Sequence, residues 1–147
     1  MKLKKVINGI IPLEGYIAMT VFPWVFIRKE NAERFDEVAE RHETTHGHQQ
    51  VEMLFVGTAL AGILAIFGCG WWSLLAVPVF FGWYVIEWLI KSVLAFFANK
   101  DGYYSISFEQ EAFLHEKEPD YNYEREPFAW TKYIFTLTKR PRNYYEI

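Results

Sequence analysis

Met53 to Ile86 reads MLFVGTALAGILAIFGCGWWSLLAVPVFFGWYVI, 34 consecutive residues without Asp, Glu, Lys or Arg. As one straight α-helix this run would measure about 51 Å at 1.5 Å per residue, well beyond the roughly 30 Å hydrocarbon core of a bilayer. It has to fold back. Phe67-Gly68-Cys69-Gly70-Trp71-Trp72 is the place for the break, because two glycines loosen a helix and paired tryptophans suit a membrane interface. The reading is a hairpin of two hydrophobic helices, Gln50 to Phe67 and Trp71 to about Ala98, with Pro78 kinking the second. Glu87 and Lys91 share one helix face at i,i+4 spacing, an ion pair expected to snorkel where that helix leaves the bilayer. Each arm, at roughly 17 to 20 apolar residues, sits at the lower edge of spanning length, so the buried hairpin of a soluble core is the competing reading.

Outward from this run, the composition narrows the choices. The chain has 147 residues, enough for one domain, 1–147, and too few for two with separate cores. With 52% apolar residues it is not a disordered chain, and a net charge of -3 gives no general attraction to nucleic acid. A single cysteine, Cys69, rules out a disulfide framework and a thiolate zinc ribbon, so any metal has to use His, Asp or Glu. Aromatic residues, 19% of the chain, match a protein that buries itself in a large core or a bilayer. Lysines and arginines flank the apolar run on both sides and are missing from its turn, which places both termini on the cytoplasmic side.

The remaining segments divide at the hairpin. In residues 1–30 the stretch Val6 to Ile27 is apolar but interrupted by Gly9, Pro12, Glu14, Gly15 and Pro23. It reads as short strands, with Tyr16 to Phe22 and Trp24 to Ile27 forming a β-hairpin. The opening Met-Lys-Leu-Lys-Lys is not followed by the uninterrupted apolar core of a cleaved signal. Residues 31–50 are helical, with Asn31 as N-cap and Phe35, Val38, Ala39, His42, His46, Gln49 and Met53 on one face. Residues 99–147 hold a helix from about Ser105 to Glu116 and an aromatic, basic tail from Phe128 to Ile147. The fold class is therefore mainly α: two site helices joined by the hydrophobic, transmembrane hairpin, with a short N-terminal β-hairpin.

His42-Glu43-Thr44-Thr45-His46 is an H-E-x-x-H sequence. On a helix it turns two imidazoles to one face, one turn apart, where both reach a single Zn²⁺. Glu43 sits about 100° round the helix, placed to touch a metal-bound water as general base rather than the metal itself. A carboxylate from a second helix would complete a three-ligand catalytic zinc, and Phe108-Glu109-Gln110-Glu111-Ala112 offers two, Glu109 and Glu111. Two membrane crossings return this segment to the side of the histidines.

The combination resembles the gluzincin metallopeptidases of the integral-membrane type, in which H-E-x-x-H is followed, after hydrophobic helices, by an F-E-x-x-A-D-like segment. It looks still closer to small bacterial membrane proteins with H-E-x-x-H, a hydrophobic hairpin and F-E-x-E-A. The resemblance runs from His42 to Ala112 and implies zinc ligands His42, His46 and Glu109, with Glu43 as the catalytic base. It further implies a membrane-associated peptidase with peptide or protein substrates, its site on the cytoplasmic face of a bacterial inner membrane. Phe113 stands where the larger family has an acid, so support for a ligating histidine has to come from elsewhere, with Glu111 in reach.

Other readings compete. A structural or vestigial zinc site in a non-catalytic membrane protein would show a fourth protein ligand such as Glu111. A di-iron carboxylate site needs a second Glu-x-x-His, which Glu111 to His115 misses by one residue. His48 points away from the ligand face. His115 reads as a surface residue or a donor to an oxyanion, and Tyr103 and Tyr104 read as packing aromatics.

Overall fold

A computed structural model describes residues 1–140, so the end of the predicted aromatic and basic tail, 141–147, lies outside the described residues. Strands β1 (Lys4–Asn8), β2 (Ala18–Val21) and β3 (Trp24–Arg28) form one sheet in the order β1-β3-β2. The expected hairpin is β2–β3, antiparallel from Ala18 opposite Ile27 to Val21 opposite Trp24. β1 goes beyond it: Lys4 to Asn8 pair in parallel with Trp24 to Arg28. Lys-Lys-Val-Ile lacks a period-two pattern, so only its pairing partner reveals it as a strand. Val25 and Ile27 are buried on alternate positions of the central strand. Gln50 pins the edge strand: its Nε2 donates to the Thr20 carbonyl (2.7 Å) and its Oε1 accepts from the Phe22 N–H (2.8 Å).

Helix α1 (Glu37–Ile66) is a single 30-residue rod that joins the predicted His-bearing helix to the first apolar arm. Its N-cap is Asp36, whose side chain accepts from the Ala39 N–H at 2.9 Å. Asn31 is not the cap: it lies in a preceding 3-10 helix, Lys29–Arg34, where its Nδ2 donates to the Tyr16 carbonyl. The carboxylate wins because it stands directly before the first free N–H groups of the helix.

The break falls where the glycines predicted it. α1 ends at Ile66 with Phe67 as its C-cap, and Gly68 and Gly70 take positive φ of 87° and 54°. The second arm differs from expectation. Gly70–Ala76 is a 3-10 helix that returns along α1, and α2 (Val79–Ala98) starts only after Pro78, which ends one helix and begins the next instead of kinking a continuous one. The return passes so close to Gly57 that a Cβ there would lie 2.5 Å from the Ala76 carbonyl oxygen and 2.6 Å from that of Val77. α2 therefore begins beside the middle of α1, with Val79 against the cluster that contains Met53. By length and composition, α1 and Phe81–Ala98 of α2 are both apolar enough to cross a membrane.

α2 turns a narrow face inward and leaves the rest bare. Its two charged side chains, Glu87 and Lys91, are buried and paired at 3.0 Å, contrary to the snorkelling expected of them. Glu87 accepts from the Ser107 N–H (2.8 Å), the Ser107 hydroxyl (2.7 Å) and Trp83 Nε1 (3.0 Å). Lys91 donates to the carbonyls of Ser105, Tyr133 (2.9 Å) and Thr136 (3.2 Å). The pair thus fastens the start of α3 (Ser107–His115) to α2, satisfying a helix N-terminus and three carbonyls at once. Beyond α3 come a short α4 (Tyr121–Glu124) and a 3-10 helix, Ala129–Tyr133. Ile106, Phe108, Met53 and Trp130 form the packed centre between α1, α3 and this last turn.

Candidate metal centre

α1 and α3 cross with their polar faces together. His42 and His46, one turn apart, direct their Nε2 atoms to the same point, 3.1 Å from each other. From α3, Glu109 Oε2 approaches to 3.6 Å of the first and 3.5 Å of the second. Ligands 2.0–2.1 Å from a tetrahedral ion are spaced by about 3.3–3.4 Å, so these three atoms already stand near the corners of such a shell. Glu109 Oε2 is buried without a hydrogen-bond partner, while Oε1 accepts from the Tyr84 hydroxyl at 2.8 Å. A buried, unpaired carboxylate oxygen beside two imidazole nitrogens calls for a cation. His42, His46 and Glu109 are accordingly a set that could hold a metal ion.

The outer partners hold the rings in the tautomer a metal needs. His42 Nδ1 lies 3.0 Å from Glu116 Oε2, and His46 Nδ1 lies 2.9 Å from Gln49 Oε1. Gln49 is oriented without ambiguity, since its Nε2 donates to the Phe108 carbonyl (3.0 Å) and to Glu111 Oε2 (2.9 Å), leaving Oε1 for the histidine. Each ring thus donates through Nδ1 and presents the lone pair of Nε2 to the site. Glu111, weighed as a ligand, is instead taken up by Gln49, by the Tyr121 hydroxyl (2.8 Å) and by Arg125, which also holds Glu52. Its support reaches His46 only through Gln49. Phe113 packs against the His42 ring, centroids 4.5 Å apart and planes tilted by 59°, and the carboxylate that supports His42 is that of Glu116. Seven residues after Glu109, Glu116 returns to the same side of the chain two turns on, the one signal by which sequence could have found it.

The charges reinforce one another. Burial works against a charged His42, but Glu109 and Glu116 outweigh it and raise the group to about 10. His46 is raised too: burial opposes it, and the charge of Glu109 prevails. Glu109 would be raised by burial, yet His46 and His42 hold it well below the usual carboxylate range. Without a metal the triad shares a proton in place of the cation.

The triad forms the floor of a cleft of about 450 Å³ between the N-terminal sheet, α1 and the start of α2. Glu43 lines this cleft, and its Oε2 accepts from the Thr20 hydroxyl at 2.7 Å. Among the described residues no fourth His, Cys, Asp or Glu joins the triad, so its open side faces the cleft and Glu43. Tyr103 lines the wall, and burial and the charge of Glu109 keep its phenol protonated far above neutral pH. His48 is half-buried outside the triad. His115 pairs with Glu118 and the Tyr133 hydroxyl and stacks on Tyr121, which leaves it no part in an oxyanion site. Besides Glu116, sequence reasoning missed Thr20 and Tyr84: a threonine in a strand and a tyrosine inside an apolar run carry no local sign of a site. No family model, curated protein or solved structure matches this chain, and the reading of the site rests on its own geometry.

Proposed function

We propose that this chain is a membrane-embedded, zinc-dependent peptidase of gluzincin type, with His42, His46 and Glu109 as ligands and Glu43 as general base. The observation that carries this is the three-ligand shell, open on a cleft that also holds Glu43. Two imidazoles and one carboxylate suit Zn²⁺, and three protein ligands leave the position a catalytic site requires, whereas a structural zinc takes four. Bound there, zinc would lower the pKa of a coordinated water to about 7 and polarise the scissile carbonyl.

The chain's own groups do the rest. Glu43 takes a proton from the attacking water and passes it to the leaving amine, and Thr20 holds its carboxylate in place. Tyr84 occupies Glu109 Oε1 and so turns Oε2 inward. The exposed, uncharged parts of α1 beyond Glu52 and of α2 lie in the bilayer as a hairpin, and the flanking cationic residues keep the termini and the site on the cytoplasmic side of an inner membrane. The partners are then the bilayer and a peptide or protein substrate, with no role for nucleic acid.

Glu43→Gln tests the mechanism, because it keeps size and ligand geometry and removes the proton acceptor. Zinc content should be unchanged while cleavage of membrane-associated peptides falls by at least ~10²-fold. Equal, chelator-sensitive cleavage by both proteins refutes Glu43 as the base. Stoichiometric zinc with no cleavage by either points to the non-catalytic zinc site.

A further inference from the structure

The walls of the cleft are made of side chains that also face outward. Phe81, Tyr84 and Trp88 line it from one face of α2, and Phe81 and Trp88 are about half exposed, at 50% and 44%. Opposite stand Leu13 and Met19, 77% and 41% exposed, and the loop carrying Leu13 also bares Ile10. The exposed surface of α2 bears no charge, since its only two charged residues are buried. Among the described residues no lysine or arginine lines the cleft, and apart from tyrosines its ionisable groups are those of the triad and Glu43.

From this we infer that the mouth of the site opens sideways into the hydrocarbon of the bilayer, and that its occupant is an uncharged, apolar polypeptide segment delivered from the membrane. The inference rests on the peptidase reading and narrows its substrate. A water-filled mouth would leave Phe81, Trp88 and Leu13 exposed around one cleft, with Ile10 bare on the adjoining loop, a grouping of large apolar side chains that soluble surfaces avoid. A phospholipid is a poorer occupant, because among the described residues no lysine or arginine on the walls would hold its headgroup phosphate. A peptide bond between apolar side chains brings no charge, and its flanks match the walls.

The test places a photoreactive benzoylphenylalanine at position 88 of the zinc-loaded Glu43→Gln protein in phosphatidylcholine/phosphatidylglycerol vesicles. A second protein carries the same group at Phe97, an exposed α2 residue that does not line the cleft. Each is irradiated with a membrane-inserted Leu/Ala peptide, with the same peptide carrying two central lysines, and with a short soluble peptide. Zinc content reports that each variant is folded. The expected result is at least tenfold more adduct to the apolar peptide than to either other peptide at position 88, and no such preference over the lysine peptide at position 97. Equal or greater labelling of the soluble peptide overturns the sideways mouth, and lipid adducts with no peptide adduct make an acyl chain the occupant. Absence of discrimination at position 88 overturns the proposal as well. The readout does not need turnover: position-88 adducts without wild-type cleavage remove the peptidase and leave the mouth, whereas cleavage of the soluble peptide without adducts does the reverse.

Discussion

Replacing Gln49 by Met should separate metal affinity from folding more cleanly than removing a ligand. Gln49 is fully buried and makes three hydrogen bonds, one to His46 Nδ1 and two that lock its amide to Phe108 and Glu111. Methionine fills nearly the same volume but accepts only weakly and donates nothing. The His46 ring then loses the partner that keeps its proton on Nδ1. Loss of such an outer partner lowers metal affinity about 10–100-fold, or about 1.4–2.7 kcal/mol. The fold loses separately: the two bonds donated by the Gln49 amide go, at about 0.5–1.5 kcal/mol each, while the Phe108 carbonyl keeps its bond within α3 and Glu111 keeps Arg125 and Tyr121. Competition for zinc against a chromophoric chelator reads the first effect, and thermal unfolding of the metal-free protein reads the second. Gln49→Glu is the control. It still accepts from His46, so zinc affinity should hold, but it faces the Glu111 carboxylate and should unfold at a lower temperature. Folded Gln49→Met protein with zinc affinity within twofold of wild type would refute the argument.

Further outcomes follow from the same network. Glu109→Ala should abolish stoichiometric zinc in a folded protein, whereas Glu111→Ala should unfold it, at about 3–5 kcal/mol for a buried Arg125 left with Glu52 alone; zinc retention in the first variant moves the third ligand elsewhere. Lys91→Met should cost up to ~3–5 kcal/mol by leaving the buried Glu87 carboxylate without its cation, and a thermal midpoint equal to wild type's would mean that the pair does not fasten α3 to α2. His42 is held at about 10 in the metal-free protein, so zinc has to displace a proton at neutral pH. Calorimetry in two buffers of different ionisation enthalpy should find about one proton released at pH 7.5, and affinity rising up to tenfold per pH unit toward pH 10. Because the folded value is the raised one, the stability that this proton contributes is complete below about pH 6.5 and is lost as pH climbs through about 10. Zero proton release would show that His42 is already neutral.

What the sequence determined by itself was set by short-range rules. The 3.6-residue period places His42 and His46 on one face and Glu43 aside from them, whatever surrounds the helix. Gly68 and Gly70 mark the end of α1 because positive φ is cheap only for glycine, and the β2–β3 hairpin follows from strand-forming residues around Pro23. Choosing Glu109 over Glu111 as the third ligand took the resemblance as well as the spacing, and the geometry that separates them is tertiary: one carboxylate meets two imidazoles, the other an arginine. β1, the shortened α2, the Glu87–Lys91 clasp and the partners Glu116, Thr20 and Tyr84 were likewise decided only by packing. Each depends on a contact between segments 14 or more residues apart, and local periodicity carries no information about which distant backbone or carboxylate will arrive. Gly57 states the difference most simply: in the sequence it is a weak spot in a helix, and in the fold it is the gap past which the chain returns to set α2 beside the His42, His46 and Glu109 cluster.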